Sequence, residues 1–277
     1  MFPPGNAPTE AALAAHRRYR AEPIGALLGP LLCADSRLPE LATALTHDPA
    51  ATPVPLGVVV TGGAGAIGPA IAWASRTPLT ELNSIEVALR DEDDLGHNAR
   101  RVCTVLSNEL PPDVTAFIET PRTGAGIASP GWESALDVIA ESGHCGKYRT
   151  GGPDQAAFPD EVELARLITA ALDRELAFKC TAGLHHAIRS TTGDALEQHG
   201  FLNILLATRA SLDGATVDEV AEVLASREPD QIVPGIRQLD GPAGVSTRRW
   251  FRSFGTCSIT EPVDDLMALG LLGKEAA

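Results

Sequence analysis

From residue 56 onward, short apolar runs of β type alternate with helical runs, and that alternation leaves few folds open. Strand-like segments at 56–60, 84–89, 114–118, 146–149 and 177–181 are interleaved with helical patterns at 68–75, 95–110, 132–141 and 160–176. Parallel neighbours need a crossover connection of about a dozen residues or more, and a helix is its usual form. The pattern therefore predicts a mostly parallel sheet covered by helices. An α/β fold of the (β/α)8 TIM-like barrel type with an N-terminal helical extension is the expected architecture. An open doubly wound parallel sheet is the alternative.

The flanks are harder to read. Residues 1–55 hold an alanine-rich run at 11–20, an apolar run at 25–33 and a leucine- and alanine-rich run at 38–46. The stretch 47–55 is punctuated by three prolines. This reads as a helical extension and linker over 1–55, followed by a barrel catalytic domain over 56–277. The apolar run 200–208 fits a strand or a buried helix equally well. Residues 216–226 form an amphipathic helix with Thr216 as N-cap and Glu219 at the capping-box position. A strand-like segment lies within 247–259, and a helix over 261–269 starts from Thr260 as N-cap with Pro262 in its first turn.

A net charge of −14 leaves no positive stripe for a nucleic-acid partner. No apolar stretch approaches 18 residues, and no basic region precedes an apolar run at the N-terminus, so neither a membrane span nor a signal peptide is expected. The five cysteines form no CxxC pair and no zinc-ligand spacing. That usage predicts a reduced, cytoplasmic protein, free to form a homo-oligomer.

Lysine is almost absent: Lys147, Lys179 and Lys274 are the only three, against 22 lysines and arginines together. Two of them sit inside apolar, glycine-ended segments, Cys145-Gly-Lys147-Tyr-Arg-Thr-Gly-Gly152 and Ala177-Phe-Lys179-Cys-Thr-Ala-Gly183. A desolvated lysine can lose its proton and act as nucleophile or base, which arginine cannot. Alternate side chains of a strand share a face, so Lys147 and Arg149 point together, as do Lys179 and Thr181. If the two strands are neighbours about 4.8 Å apart, the ammonium groups repel each other. At an effective dielectric near 20 this is worth about 3 kcal/mol, or roughly two pKa units on one partner.

The pair Lys147-Tyr-Arg-Thr-Gly151 and Lys179-Cys-Thr-Ala-Gly183, 32 residues apart with one helix between, resembles the two lysine strands of class I deoxyribose-phosphate aldolases. The resemblance covers about residues 145–189. It implies that Lys147 forms a Schiff base, that Lys179 depresses its pKa, and that neither metal nor cofactor takes part. The expected substrate is a small carbonyl compound, phosphorylated or not, processed by a lyase of aldolase type. Arg149, Thr150, Gly151, Gly152, Thr181 and Gly183 fall at its binding positions. Departures from that family are His185 and His186, where it has glycine and arginine, and Arg149, where it has a small hydroxyl residue.

Imine chemistry also needs proton transfer. Glu119, ending the third strand-like run, is the first candidate, with Glu86 and Asp91 as alternatives. His185 stands just past the second lysine strand and is a further acid/base candidate, with His186 beside it to line the pocket. Ser253, Gly255 and Thr256, ahead of the last helix, suit a phosphate cradle.

Two other function classes remain open. Thr61-Gly-Gly-Ala-Gly-Ala-Ile-Gly68 resembles the glycine signature of extended short-chain dehydrogenases, with Asp91 and Glu92 placed for a ribose. This implies an NAD(P)-dependent oxidoreductase, although that family's Tyr-x-x-x-Lys is missing. The lysines also suit a non-catalytic, anion-binding barrel.

Overall fold

The computed structural model describes residues 7–48, 50, 52–90, 93–124, 126, 128–192, 196–239 and 241–273. Asp91, Glu92 and Lys274 lie outside them. The strands, in chain order, are β1 (Leu31–Ala34), β2 (Val54–Val60), β3 (Thr80–Ala88), β4 (Thr115–Glu119), β5 (Cys145–Arg149), β6 (Phe178–Thr181), β7 (Ser190–Thr191), β8 (Glu197–Gln198) and β9 (Phe251–Gly255). The helices are α1 (Thr9–Ala21), α2 (Leu38–Thr46), α3 (Ile67–Arg76), α4 (Leu95–Glu109), α5 (Pro130–Glu141), α6 (Glu161–Asp173), α7 (Phe201–Leu212), α8 (Val217–Ala225), α9 (Pro229–Gln238), α10 (Gly241–Trp250) and α11 (Thr260–Ala268).

Seven strands make one all-parallel sheet in the order β1-β2-β3-β4-β5-β6-β9, while β7 and β8 form a separate antiparallel hairpin. The sheet curls through 221° into an open half-barrel. The expected closed eight-stranded barrel is therefore corrected: the curl is a barrel's, but the ring does not close. The doubly wound alternative is corrected too. Strand order runs in one direction across the sheet, without the reversal that such a sheet requires.

Closure fails in the chain between β6 and β9. Residues 182–250, long enough for two β/α units, supply instead the hairpin and the four helices α7 to α10. The ambiguous run 200–208 is helical, and α7 buries Phe201, Leu202, Asn203, Ile204, Ala207 and Thr208. Burial around so much of its circumference erases the one-sided stripe by which a helix is recognised. At the other end, the apolar run 25–33 is not helical throughout. It contains a 3-10 turn, Pro23–Leu27, and leads into β1, which pairs with β2 from Leu31↔Leu56 to Ala34↔Val59.

With every crossover stepping the same way, right-handed connections place the helices on a single face of the sheet. That face carries Leu56, Val58, Ile85, Val87, Ile118, Tyr148, Phe178 and Cys180, which join Ala99, Val102, Leu136, Ile139, Leu164 and Ile168 of the helices in one core. The other face, the inner side of the curl, carries Gly57, Ser84, Glu86, Phe117, Glu119, Lys147, Lys179 and Ser253.

The α8 capping box is present with both of its bonds: the Thr216 hydroxyl accepts from the Glu219 amide, and the Glu219 side chain accepts from the Thr216 amide. Helix α8 packs on α6 and α7 through Val220, Ala221 and Leu224. Thr216→Ala is expected to cost about 1 kcal/mol, a fall in Tm of roughly 2–4 °C, read by thermal unfolding. A shift under about half a degree would mean that the box adds nothing to the packing.

Candidate functional site

Register brings the site together. Glu119, Lys147, Lys179 and Ser253 are successive in-register partners across β4, β5, β6 and β9. Glu86 on β3 pairs with Phe117, two residues before Glu119 on β4. The two lysines, 32 residues apart in the chain, are thus directly opposite each other and on one face, as the spacing predicts.

What lies between them differs from the expectation of two bare, mutually repelling amines. The Glu86 carboxylate separates them: Lys179 Nζ donates to Oε1 at 2.6 Å, and Lys147 Nζ lies 2.8 Å from Oε2. Lys147 also reaches Glu119 Oε2 at 2.9 Å, and Arg149 Nε donates to Glu119 Oε1 at 2.9 Å. Lys179 Nζ stands 5.1 Å from the centre of the Phe117 ring, a cation–π contact. The Lys147 nitrogen meets Glu86 Oε2 off the angle of an aligned hydrogen bond. That contact is Coulombic, and the oxygen keeps an unused acceptor position.

Burial makes these contacts strong. Relative exposures are 1% for Glu86, 4% for Lys147 and 5% for Lys179. Desolvation costs several kcal/mol per ion, and a contact at these distances returns about 6 kcal/mol at an effective dielectric near 20. Lys147 has two such contacts. Burial pushes its ammonium down, Glu86 and Glu119 more than reverse this, and it is held above the ordinary lysine value. This corrects the expectation that Lys147 is the depressed amine of the pair. Burial likewise pushes the Glu86 carboxyl up, but Lys147 and Lys179 bring it below its ordinary value. Glu119 follows the same logic, with Lys147 and Arg149 outweighing burial.

The other predicted residues divide into three groups. Thr181 and Gly255 are paired two residues beyond Lys179 and Ser253, on the inner face with Arg149. Thr150, Gly151, Gly152 and Gly183 follow the ends of β5 and β6. Thr150 Oγ1 donates to the carbonyls of Thr181 and Ala182. A Cβ on Gly151 would stand 2.8 Å from Gly183 Cα, so these glycines permit a close backbone crossing. Ala182 and Gly183 both have positive φ, 67° and 72°, and turn the chain sharply after β6. The third group has left the inner face for α11. His185 Nδ1 pairs with Glu261 at 2.8 Å and His186 Nδ1 with Asp265 at 3.1 Å. The Thr256 hydroxyl, expected in a phosphate cradle, accepts from the Ser258 amide. His199 is fully buried and bonds the Pro159 carbonyl and Arg189.

The glycine-rich segment after β2 forms a 3-10 turn, Ala64–Ala66, ahead of α3. Thr61 is tied to Asp35 through both its amide and its hydroxyl. The loop borders a cleft of about 510 Å³ lined also by His97, Arg100, Arg101 and Thr104. A second cleft, of about 270 Å³, lies among α5, α6 and the start of α8 and includes Trp132, Arg166 and Val217. Neither touches the lysine cluster. Among the described residues no three histidine, cysteine or acidic side chains converge on a metal position, and no helix is long and apolar enough to cross a membrane. Comparison with protein families, curated proteins and solved structures gives no match for this chain.

Carboxyls held below their ordinary values stabilise the fold above about pH 4–5, and this is lost as pH falls through their folded values. The raised Lys147 stabilises it below about pH 10, an effect lost as pH climbs through its folded value. Glu86→Gln leaves two buried ammonium groups short of one anion. It is expected to cost about 3–5 kcal/mol at about pH 7, with a shallower loss of stability between about pH 5 and 3. Urea unfolding across that range checks both. A loss below about 1 kcal/mol would show that water already screens the cluster.

Proposed function

We propose that the inner face of the half-barrel performs Schiff-base chemistry on a small carbonyl compound that also bears an anionic group. The observation that carries this reading is the shared carboxylate: two buried lysines on adjacent strands held by the two oxygens of Glu86. Lys179 is the amine of choice. It has one carboxylate to hold its proton, where Lys147 has two, and Glu86 Oε1 at 2.6 Å is positioned to receive that proton. Lys147, held charged by two carboxylates, is the proton donor to the substrate oxygen. The roles implied by the aldolase resemblance are thereby exchanged.

In this scheme the neutral Lys179 nitrogen attacks the carbonyl carbon. The former carbonyl oxygen takes one proton from Lys147, the attacking nitrogen gives its surplus proton to Glu119, and the hydroxyl departs as water with the proton that Glu86 took from Lys179. The resulting iminium withdraws electrons from the adjacent carbon, which permits carbon–carbon cleavage or formation. Glu119, between Lys147 and Arg149, passes the proton received from the attacking nitrogen on to Lys147.

The anionic group of the substrate follows from charge. The three cations Lys147, Lys179 and Arg149 face the two carboxylates Glu86 and Glu119, leaving one positive charge over. Its most accessible carrier is Arg149, whose side chain is 44% exposed at the strand ends. A carboxylate or phosphate there would place its carbonyl deeper, toward the amines.

A non-covalent reading rests on the same surplus charge together with the raised Lys147: the cluster then only holds an anion. Sodium borohydride reduction with a panel of small aldehydes, oxo acids and phosphorylated ketones separates the two. The expected result is a mass gain mapping to the Lys179 peptide, abolished by Lys179→Met and retained in part by Lys147→Met. A panel-wide absence of adduct, with oxo acids still raising Tm, would replace catalysis by anion binding.

A further inference from the structure

The inner face stops at β1 on one side and at β9 on the other, the two edges of the sheet, which are not paired with each other. Along β1, Leu31 and Cys33 belong to the core under the helices, so Leu32 between them points to the inner face. Leu32 pairs with Gly57 of β2, which pairs in turn with Ser84 of β3. A Cβ on Gly57 would stand 2.5 Å from Leu32 Cδ2 and 2.8 Å from Ser84 Oγ. Both side chains therefore lean over the space that this glycine leaves. The other methyl of Leu32 reaches across the open side of the curl. A Cβ on Gly255 of β9 would lie 3.8 Å from Leu32 Cδ1 and 3.0 Å from Thr181 Oγ1. One leucine thus spans from β2 to the far edge of the sheet.

Its neighbours give this position its meaning. Gly255 stands two residues beyond Ser253, the register partner of Lys179. Ser84 stands two residues before Glu86, the carboxylate between the lysines. Leu32 therefore borders the amine cluster from both directions along the sheet. Glu86, Lys147 and Lys179 are buried, whereas Leu32 is half-buried and keeps part of its surface toward open space. It stands at the boundary between the sealed cluster and the gap where the sheet fails to close.

We propose that Leu32 is a specificity-determining residue of the inner site, limiting the chain length of the carbonyl compound that reaches Lys179. This rests on the Schiff-base reading above, and it narrows the substrate class to short-chain oxo acids and their like. The limit depends on a single side chain. Gly57 and Gly255 flank Leu32 and have no side chains of their own, so neither can fill the volume if Leu32 is shortened. Leu32 carries neither charge nor exchangeable proton, so it acts on fit alone and leaves the proton transfers among Lys147, Glu86 and Glu119 as they are. A methylene that a packed apolar wall does not accommodate costs roughly 10-fold or more in rate.

The full chain is treated with sodium borohydride and unbranched 2-oxo acids from pyruvate to 2-oxooctanoate, and adducts are mapped to the Lys179 peptide by mass. The unmodified protein is expected to trap the shortest acids and to lose about 10-fold or more in rate for each methylene beyond its limit. Leu32→Ala moves that limit to longer acids and raises the ratio of 2-oxooctanoate to pyruvate trapping by about 10-fold or more. Gly255→Ala adds a methyl group against Thr181 and Leu32 and moves the limit to shorter acids. Each ratio is taken within one protein, so a general loss of stability or activity cancels. Gly255→Ala reads the same limit if Leu32→Ala fails to fold. A short-to-long ratio unchanged by either substitution would overturn the role of Leu32. Absence of adduct with every acid in every protein sinks imine formation instead, and the Tm shifts given by the same acids then read the limit by themselves. Stabilisation by short acids alone, extended to longer ones in Leu32→Ala, supports the proposal. Equal shifts at all lengths in both proteins, or no shift in either, would overturn it.

Discussion

A single carboxylate, that of Glu86, decides what the inner face of this half-barrel can be. Two ammonium groups from adjacent parallel strands cannot share a buried surface without an anion between them. The repulsion and the lost hydration would together cost more than one domain's net stability can absorb. Glu86 provides the anion from β3, which does not neighbour either lysine strand: β4 lies between. The site is possible because β4 presents Phe117 in register with Glu86, whose side chain has to reach past that ring to the amines. The aromatic face turned toward Lys179 adds attraction without adding a second negative charge. Curl is what makes the reach feasible, since strands two and three positions apart face one another across a concave surface.

The same constraint breaks the symmetry of the two lysines. By register they are equivalent, each facing the other across one strand gap. By electrostatics they differ, because Glu119 ends β4 beside Lys147 and not beside Lys179. One amine is held as a cation by two carboxylates and the other has a single partner. Any chemistry that needs a base and an acid on adjacent positions can draw on this asymmetry.

Much of this is legible in the sequence, and the illegible parts share a physical cause. The alternation of short apolar runs with helical ones and the glycine-ended lysine segments locate β2 to β6, and the count of residues between Lys147 and Lys179 gives adjacency and face. Those are local or near-local properties. The partner of both lysines is not, because Glu86 is 93 residues from Lys179 in the chain and its sequence neighbourhood, Ser-Ile-Glu-Val, reads as an ordinary strand. From sequence it ranks only as a spare acid, although a carboxylate flanked by isoleucine and valine is itself a sign of a buried, paired charge. Without it the lysines look bare, and the direction inferred for Lys147 is the reverse of the one its partners impose. Ring closure is illegible for a related reason. Helix α7 is apolar on most of its surface, so its period gives no vote between helix and strand, and one misassigned element suffices to imply a complete barrel.

The histidines show the same limit at the rim. Adjacency of His185 and His186 suggests a pocket lining, but their orientation is set by the left-handed pair Ala182 and Gly183, which swings the chain away from the inner face and onto α11. A non-glycine residue in that conformation costs about 1 kcal/mol or more. The strain is offset by Glu261 and Asp265, one turn apart on α11, each taking one imidazole. Strand β6 therefore ends in a branch: its last inward side chains lie with the lysine cluster, and the residues beyond it are held against α11.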